Sequence, residues 1–189
     1  MRVIAGSAGG LRLAVPKSRV RPTMDRVKAA IFSSLGGAII DARVLDLFAG
    51  SGALGIEALS RGAASVLFVE EDRQSTEAIE KNLAKTKLGG RVRRQEVFEF
   101  LRRSSGLERF QIIFADPPYE KTKSGERFTE KLLTNKELAR LLEFDGVFVL
   151  EKRPAEQTPA TKFWDIVRVR KYGATEVLFL RRPPSASMT

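Results

Sequence analysis

Apolar positions along this chain follow two alternating patterns. Short apolar runs, Val44-Leu45 with Leu47, Ser65-Val66-Leu67-Phe68-Val69, Gln111-Ile112-Ile113-Phe114-Ala115 and residues 147–150, read as strands. Between them apolar residues recur at helical spacing. Val27, Ala30, Ile31 and Leu35 follow Thr23, a good N-cap, and Asp25, an acid suited to a first helical turn. Ala78, Ile79 and Leu83 form one stripe among the charges of residues 72–85. A short strand at 91–95 leads to a helix at 98–103, and residues 129–142 read as a single helix. Strand and helix in turn predict an α/β domain on a mostly parallel, Rossmann-like sheet.

The two ends break this alternation. Gly6, Gly9 and Gly10 separate residues 1–5 from 11–15, which predicts a small β-hairpin ended by Pro16. Residues 166–170 and 176–180 flank Lys171-Tyr172-Gly173-Ala174, an antiparallel hairpin that closes the sheet edge. The expected organisation is a basic hairpin arm over 1–22, one Rossmann-like domain over 23–182 and a disordered tail over 183–189.

Composition narrows the chemistry. A chain of 189 residues supports one sizeable core, so a single catalytic domain is expected. It has no Cys and no His, which removes disulfides, thiolate and imidazole metal ligands, thiol nucleophiles and the usual general base. No metal site is expected. The lack of a long apolar run or a signal-peptide pattern leads to the expectation of a cytoplasmic protein without a membrane anchor. A net charge of +10 points to a polyanionic partner. The excess is densest at the start, where Arg2, Arg12, Lys17, Arg19, Arg21, Arg26 and Lys28 face only Asp25. The first six of these are the candidate nucleic-acid contacts.

Two stretches carry candidate chemistry. In Val44-Leu45-Asp46-Leu47-Phe48-Ala49-Gly50-Ser51-Gly52-Ala53-Leu54-Gly55 a strand meets a glycine turn that opens a helix, an arrangement that lets backbone approach a nucleotide-like ligand. Dinucleotides and S-adenosyl-L-methionine both use such turns. Asp46 would repel a pyrophosphate but suits a ligand carrying an ammonium and a sulfonium, so a cationic cofactor is expected. Glu70, at the end of the second strand, stands where an acid accepts from ribose hydroxyls. Glu96 and Val97, at the third strand end, would bond and cover an adenine, or else Glu96 is an ordinary helix-start acid. Phe48 joins Gly50, Ser51 and Gly52 as an expected cofactor contact. In the second stretch, Asp116-Pro117-Pro118-Tyr119, prolines stop the fourth strand and leave acceptors without competing N–H donors. The Asp116 carboxylate and Pro117 carbonyl could hold both hydrogens of an exocyclic base amine, with Tyr119 as a stacking face.

Asp116 to Tyr119 resembles the amine-methylating motif of class I S-adenosylmethionine-dependent methyltransferases. Together with Arg21-Pro22-Thr23-Met24-Asp25-Arg26-Val27, the run Asp46 to Gly55 and Tyr172-Gly173, the chain closely resembles the bacterial RsmD family. That resemblance implies methylation of a guanine N2 amine in 16S ribosomal RNA, a 30S-like substrate, and action as a monomer. It also implies Gly50, Ser51 and Gly52 as the cofactor turn, Glu70 as the ribose acid and Asp116 to Tyr119 as the target site. Competing readings are an adenine-N6 nucleic-acid methyltransferase and a non-catalytic RNA-binding assembly protein on the same fold. An NAD-dependent oxidoreductase is countered by Asp46.

Overall fold

The structure, a computed structural model, describes residues 1–15, 24–104, 106, 108–118 and 127–184. Among these residues seven strands form one sheet in the order β3-β2-β1-β4-β5-β7-β6. β1 (Arg43–Leu47), β2 (Ser65–Glu70), β3 (Arg91–Arg94), β4 (Phe110–Ala115) and β5 (Leu142–Lys152) run parallel. β7 (Thr175–Arg181) enters antiparallel between β5 and β6 (Asp165–Tyr172). The predicted mostly parallel sheet with an antiparallel edge hairpin is therefore observed.

The apolar runs are dense because helices cover both faces of the central strands. Successive side chains alternate between the faces. Val44, Val66, Phe68, Ile112 and Phe114 pack with α1 (Met24–Leu35), α2 (Ala53–Ser60) and α3 (Arg73–Thr86). Leu45, Leu47, Leu67, Val69, Ile113 and Ala115 pack with α4 (Val97–Arg102), α5 (Phe128–Leu133) and α6 (Lys136–Leu141). The register aligns Leu47 with Val69 and Ala115. One residue further, Phe48, Glu70 and Asp116 therefore emerge together at the carboxyl edge.

Two expectations need correction. Residues 129–142 do not form one helix: α5 ends at Leu133, and the Asn135 side chain accepts from the Leu138 amide to cap a second helix. The start of the chain pairs as a short hairpin, with the amides of Val3, Gly10 and Leu13 donating to the carbonyls of Leu11, Val3 and Met1 at 2.9, 2.9 and 3.0 Å around a bridge between Arg2 and Arg12, but it does not project as an arm. Further backbone groups of the segment are bound by α2. The Ser7 amide donates to the Ser60 carbonyl at 2.8 Å, the Ala8 amide to Ser60 Oγ at 2.9 Å, and the amides of Ile4 and Ala5 to Glu57 at 2.7 and 3.1 Å. At Gly6 an added Cβ would sit 1.8 Å from the Ser60 carbonyl oxygen, so only glycine allows this approach. Val3, Ala8 and Leu13 are buried in the same cluster as α1 and α2, so residues 1–15 lie docked on the body rather than projecting from it. The expected N-cap Thr23 and the arm boundary at residue 22 lie outside the described residues, as do residues 185–189 of the expected tail. No helix among the described residues is long and apolar enough to cross a membrane.

Candidate active site

The turn after β1 is built from left-handed backbone. Phe48, Gly50 and Gly52 have φ of 54°, 56° and 76°. The glycines hold this conformation without a Cβ penalty, whereas Phe48 bears about 1–2 kcal/mol of local strain. Gly55 has a different task. A Cβ there would lie 2.2 Å from the Phe68 ring, so its absence lets α2 lie close on the sheet.

Three acids surround the turn. Asp46 points to the α2 face and accepts from the Gly55 amide at 2.9 Å. It is 2% exposed. Burial pushes its carboxyl up to about 8, assisted by the nearby charge of Glu70 and opposed by the Gly55 hydrogen bond. Glu70, also buried, accepts from the Gly50 amide at 2.7 Å and the Asp72 amide at 3.0 Å, so it closes the turn against the second strand. Asp116 is half-buried, Pro117 buried and Pro118 exposed.

Two adjoining clefts open here. The larger, about 620 Å³, is lined by Phe48, Glu70, Glu96, Val97, Phe98 and Phe128 among others, and its size is that of a cofactor or drug-sized ligand site. The smaller is lined by Asp46, Phe48, Gly50, Ser51, Asp116 and, from the chain start, Met1 and Val15. Phe48 belongs to both and stands between them. Glu96 is a helix-start acid: its carboxylate caps α4 through the amides of Phe98 and Glu99 at 2.8 and 2.7 Å, and the residue lines the larger cleft. Gly52 shapes the turn and lines neither of these two clefts; a Cβ there would touch Ile79 at 3.2 Å.

The remaining sequence candidates divide. Arg2, Arg12 and Arg26 are exposed. Lys17, Arg19, Arg21 and Tyr119 lie outside the described residues. Sequence reasoning missed an aromatic group at the larger cleft. The Phe98 and Phe128 rings stack with centroids 6.1 Å apart, Phe48 meets Phe128 edge-on at 5.5 Å, and Lys131 Nζ lies 5.5 Å from the Phe98 centroid. Such a wall suits the flat face of a base. The chain offers no local signal for it, because Phe98 and Phe128 open separate helices.

A family model described as "Conserved hypothetical protein 95" matches residues 1–181. The "Putative rRNA methyltransferase YlbH" of Bacillus subtilis (strain 168) is 39% identical over 188 residues, 96% of this chain and 99% of that one. The "Ribosomal RNA small subunit methyltransferase D" of Escherichia coli (strain K12) is 44% identical over 123 residues, 64% of this chain and 61% of that one. A solved structure of the "T. Thermophilus 16S rRNA N2 G1207 methyltransferase (RsmC) in complex with AdoMet and Guanosine" is 25% identical with a TM-score of 0.64, over 88% of this chain and 44% of that one.

Proposed function

This chain belongs to the Conserved hypothetical protein 95 family, and from that membership and the geometry of its two clefts we propose that it methylates the N2 amine of a guanine in 16S ribosomal RNA. The observation that carries the reading is the sharing of one small cleft by Asp46, the Gly50-Ser51 turn and Asp116. It sets a place for a positively charged donor beside acceptors for an amine. S-adenosyl-L-methionine fits that place and supplies an already activated methyl group, so the protein needs no covalent intermediate.

The chain's residues then have defined tasks. Asp46 is a buried acid whose ionised form gains stability only when a cation faces it. Glu70, held by the amides of Gly50 and Asp72 at the end of β2 and lining the larger cleft, is the acid that would accept from ribose hydroxyls. Val97 and the Phe98 and Phe128 rings offer apolar cover for adenine, with Glu96 at its edge. On the target side, the Asp116 carboxylate and Pro117 carbonyl accept the two N–H bonds of the guanine amine. Its nitrogen lone pair would then be free to take the methyl group as the sulfonium C–S bond breaks and S-adenosylhomocysteine leaves, and Asp116 would accept the departing proton. Tyr119 stacks on the base. The exposed Arg2, Arg12 and Arg26, with Lys17, Arg19 and Arg21, meet RNA phosphates.

The reading extends to a monomer acting in the cytoplasm on a 30S subunit or an assembly intermediate of it. The test is methyl transfer from labelled S-adenosyl-L-methionine to unmodified 30S subunits and to naked 16S RNA, with nucleoside mass spectrometry of the product. N2-methylguanosine is expected, chiefly from 30S. N6-methyladenosine would establish the adenine alternative, and cofactor binding without transfer would establish the non-catalytic one.

A further inference from the structure

We propose that Asn82 is a positioning residue that fastens the start of the chain to the cofactor turn, so that residues 1–15 form a wall of the donor cleft and are not a separable RNA-binding arm. This inference rests on the methyl-transfer reading above. Asn82 lies on α3 between Ile79 and Leu83 of the apolar stripe, and it is 1% exposed. Its amide is fully used. Nδ2 donates to the Ala14 carbonyl at 2.9 Å and the Ser51 carbonyl at 3.0 Å, and Oδ1 accepts from the Ala14 amide at 2.8 Å. Only this orientation of the side chain satisfies all three partners, because Ala14 N–H needs an acceptor and the two carbonyls need donors. One side chain therefore reads the backbone of the first segment and of the glycine turn at once.

Two further observations agree. Met1 and Val15, at the two ends of the segment, line the same small cleft as Asp46, Ser51 and Asp116, and Ser51 Oγ lies 3.8 Å from Met1 Sδ. The rest of the segment is held by other groups, Glu57 and Ser60 on α2, Lys28 on α1 and Lys85 on α3, and among the described residues no hydrogen bond from these to the Gly50–Gly52 turn is observed. The clamp thus has a structural half on α2 and a half on α3 that reaches the cofactor site. Undocking the segment would leave Asn82 with the Ser51 carbonyl as its remaining partner of the three, no longer fixed by Ala14, and would open one side of the cleft. By linkage, a cofactor that needs the intact turn must stabilise the docked segment. Arg12 lies two residues before Ala14 and bridges Arg2, so phosphate contacts there act on the same hydrogen-bonded unit.

Calorimetric titration of the full chain with S-adenosyl-L-methionine, comparing wild type with Asn82→Ala and Ser60→Ala, tests this. Ser60→Ala loosens the same segment through Ala5 and Ala8 without touching the turn. Asn82→Ala should weaken binding at least about tenfold, the equivalent of one lost buried hydrogen bond, while Ser60→Ala stays within about twofold. Binding by Asn82→Ala within about twofold of wild type, or an equal loss in both variants, overturns the proposal. Hydrogen exchange on wild type decides the matter if Asn82→Ala does not fold. Ligand at a hundred times its Kd should slow exchange of the Ala14 amide at least about tenfold, full coupling giving about a hundredfold. Unchanged exchange in the saturated protein overturns the inference alone, whereas a wild-type chain that binds no S-adenosyl-L-methionine overturns the methyl-transfer reading and this inference with it.

Discussion

Glu57 and Asp46 are both buried carboxylates at the α2 end of the molecule, in opposite surroundings. Glu57 is 0% exposed, and its oxygens meet Lys28 Nζ at 3.2 Å, Arg61 Nε at 2.7 Å and the amides of Ile4 and Ala5. Asp46 has the Gly55 amide, and the charge it feels is the like charge of Glu70. The first acid is compensated within the chain and works as a joint between the first segment, α1 and α2. The second is held at a site where a cation would complete it. Burial alone therefore does not separate scaffold from site; the sign of the neighbours does.

The comparison breaks first at Glu57. Glu57→Ala leaves Lys28 buried without its counter-charge and two amides without acceptors, which should cost about 3–5 kcal/mol. Scanning calorimetry should show a fall in the unfolding midpoint of roughly ten degrees. A loss below about 1 kcal/mol would mean that the joint is not a joint. On the site side, Asp116→Ala should leave that midpoint nearly unchanged but lower single-turnover methylation on 30S subunits at least about a hundredfold, with Asp116→Asn milder because it still accepts a hydrogen bond. Near-normal turnover by Asp116→Ala would refute the proposed amine site.

The last expected effect is a slope, small over any one pH unit. Asp46 has a carboxyl raised from 3.8 to about 8 by burial, so the folded state keeps a proton that the unfolded chain has released. Its contribution to stability is fully present below about pH 4 and is lost as pH rises to about 8, by at most about 1.4 kcal/mol per pH unit. Urea unfolding of Asp46→Asn between pH 5 and 8 should lack this component. Identical slopes in the two proteins would show Asp46 ionised and already paired.

What could be read from the sequence was whatever is encoded locally. The glycine turn, Asp46, Glu70 and the proline stop after Asp116 announce themselves because strand-to-turn geometry needs those residue types in that order. The break between α5 and α6 did not, because Leu132, Leu133, Leu138 and Leu141 keep a helical rhythm across it and a cap at Asn135 is one polar residue among many. The aromatic group of Phe48, Phe98 and Phe128 is assembled from three elements distant in sequence. The docking of the first segment was hidden for a related reason. Its cations, Arg2 and Arg12, are visible in sequence, while its acceptors, Glu57, Ser60 and Asn82, lie on helices further along. The one local clue was Asn82 itself, a polar residue on the buried stripe of α3.

The insertion of β7 between β5 and β6 bears on how the chain is made. The sheet cannot be finished in the order of synthesis, because β6 is built before the strand that attaches it. Until residues 175–181 leave the ribosome, the β5 edge at Phe148, Val149 and Leu150 waits unpaired, and β6 has nothing in the sheet to hold. A nascent chain halted short of that point presents a long apolar edge, the kind of surface that recruits other strands. The last strand is thus the one that seals the molecule against its neighbours.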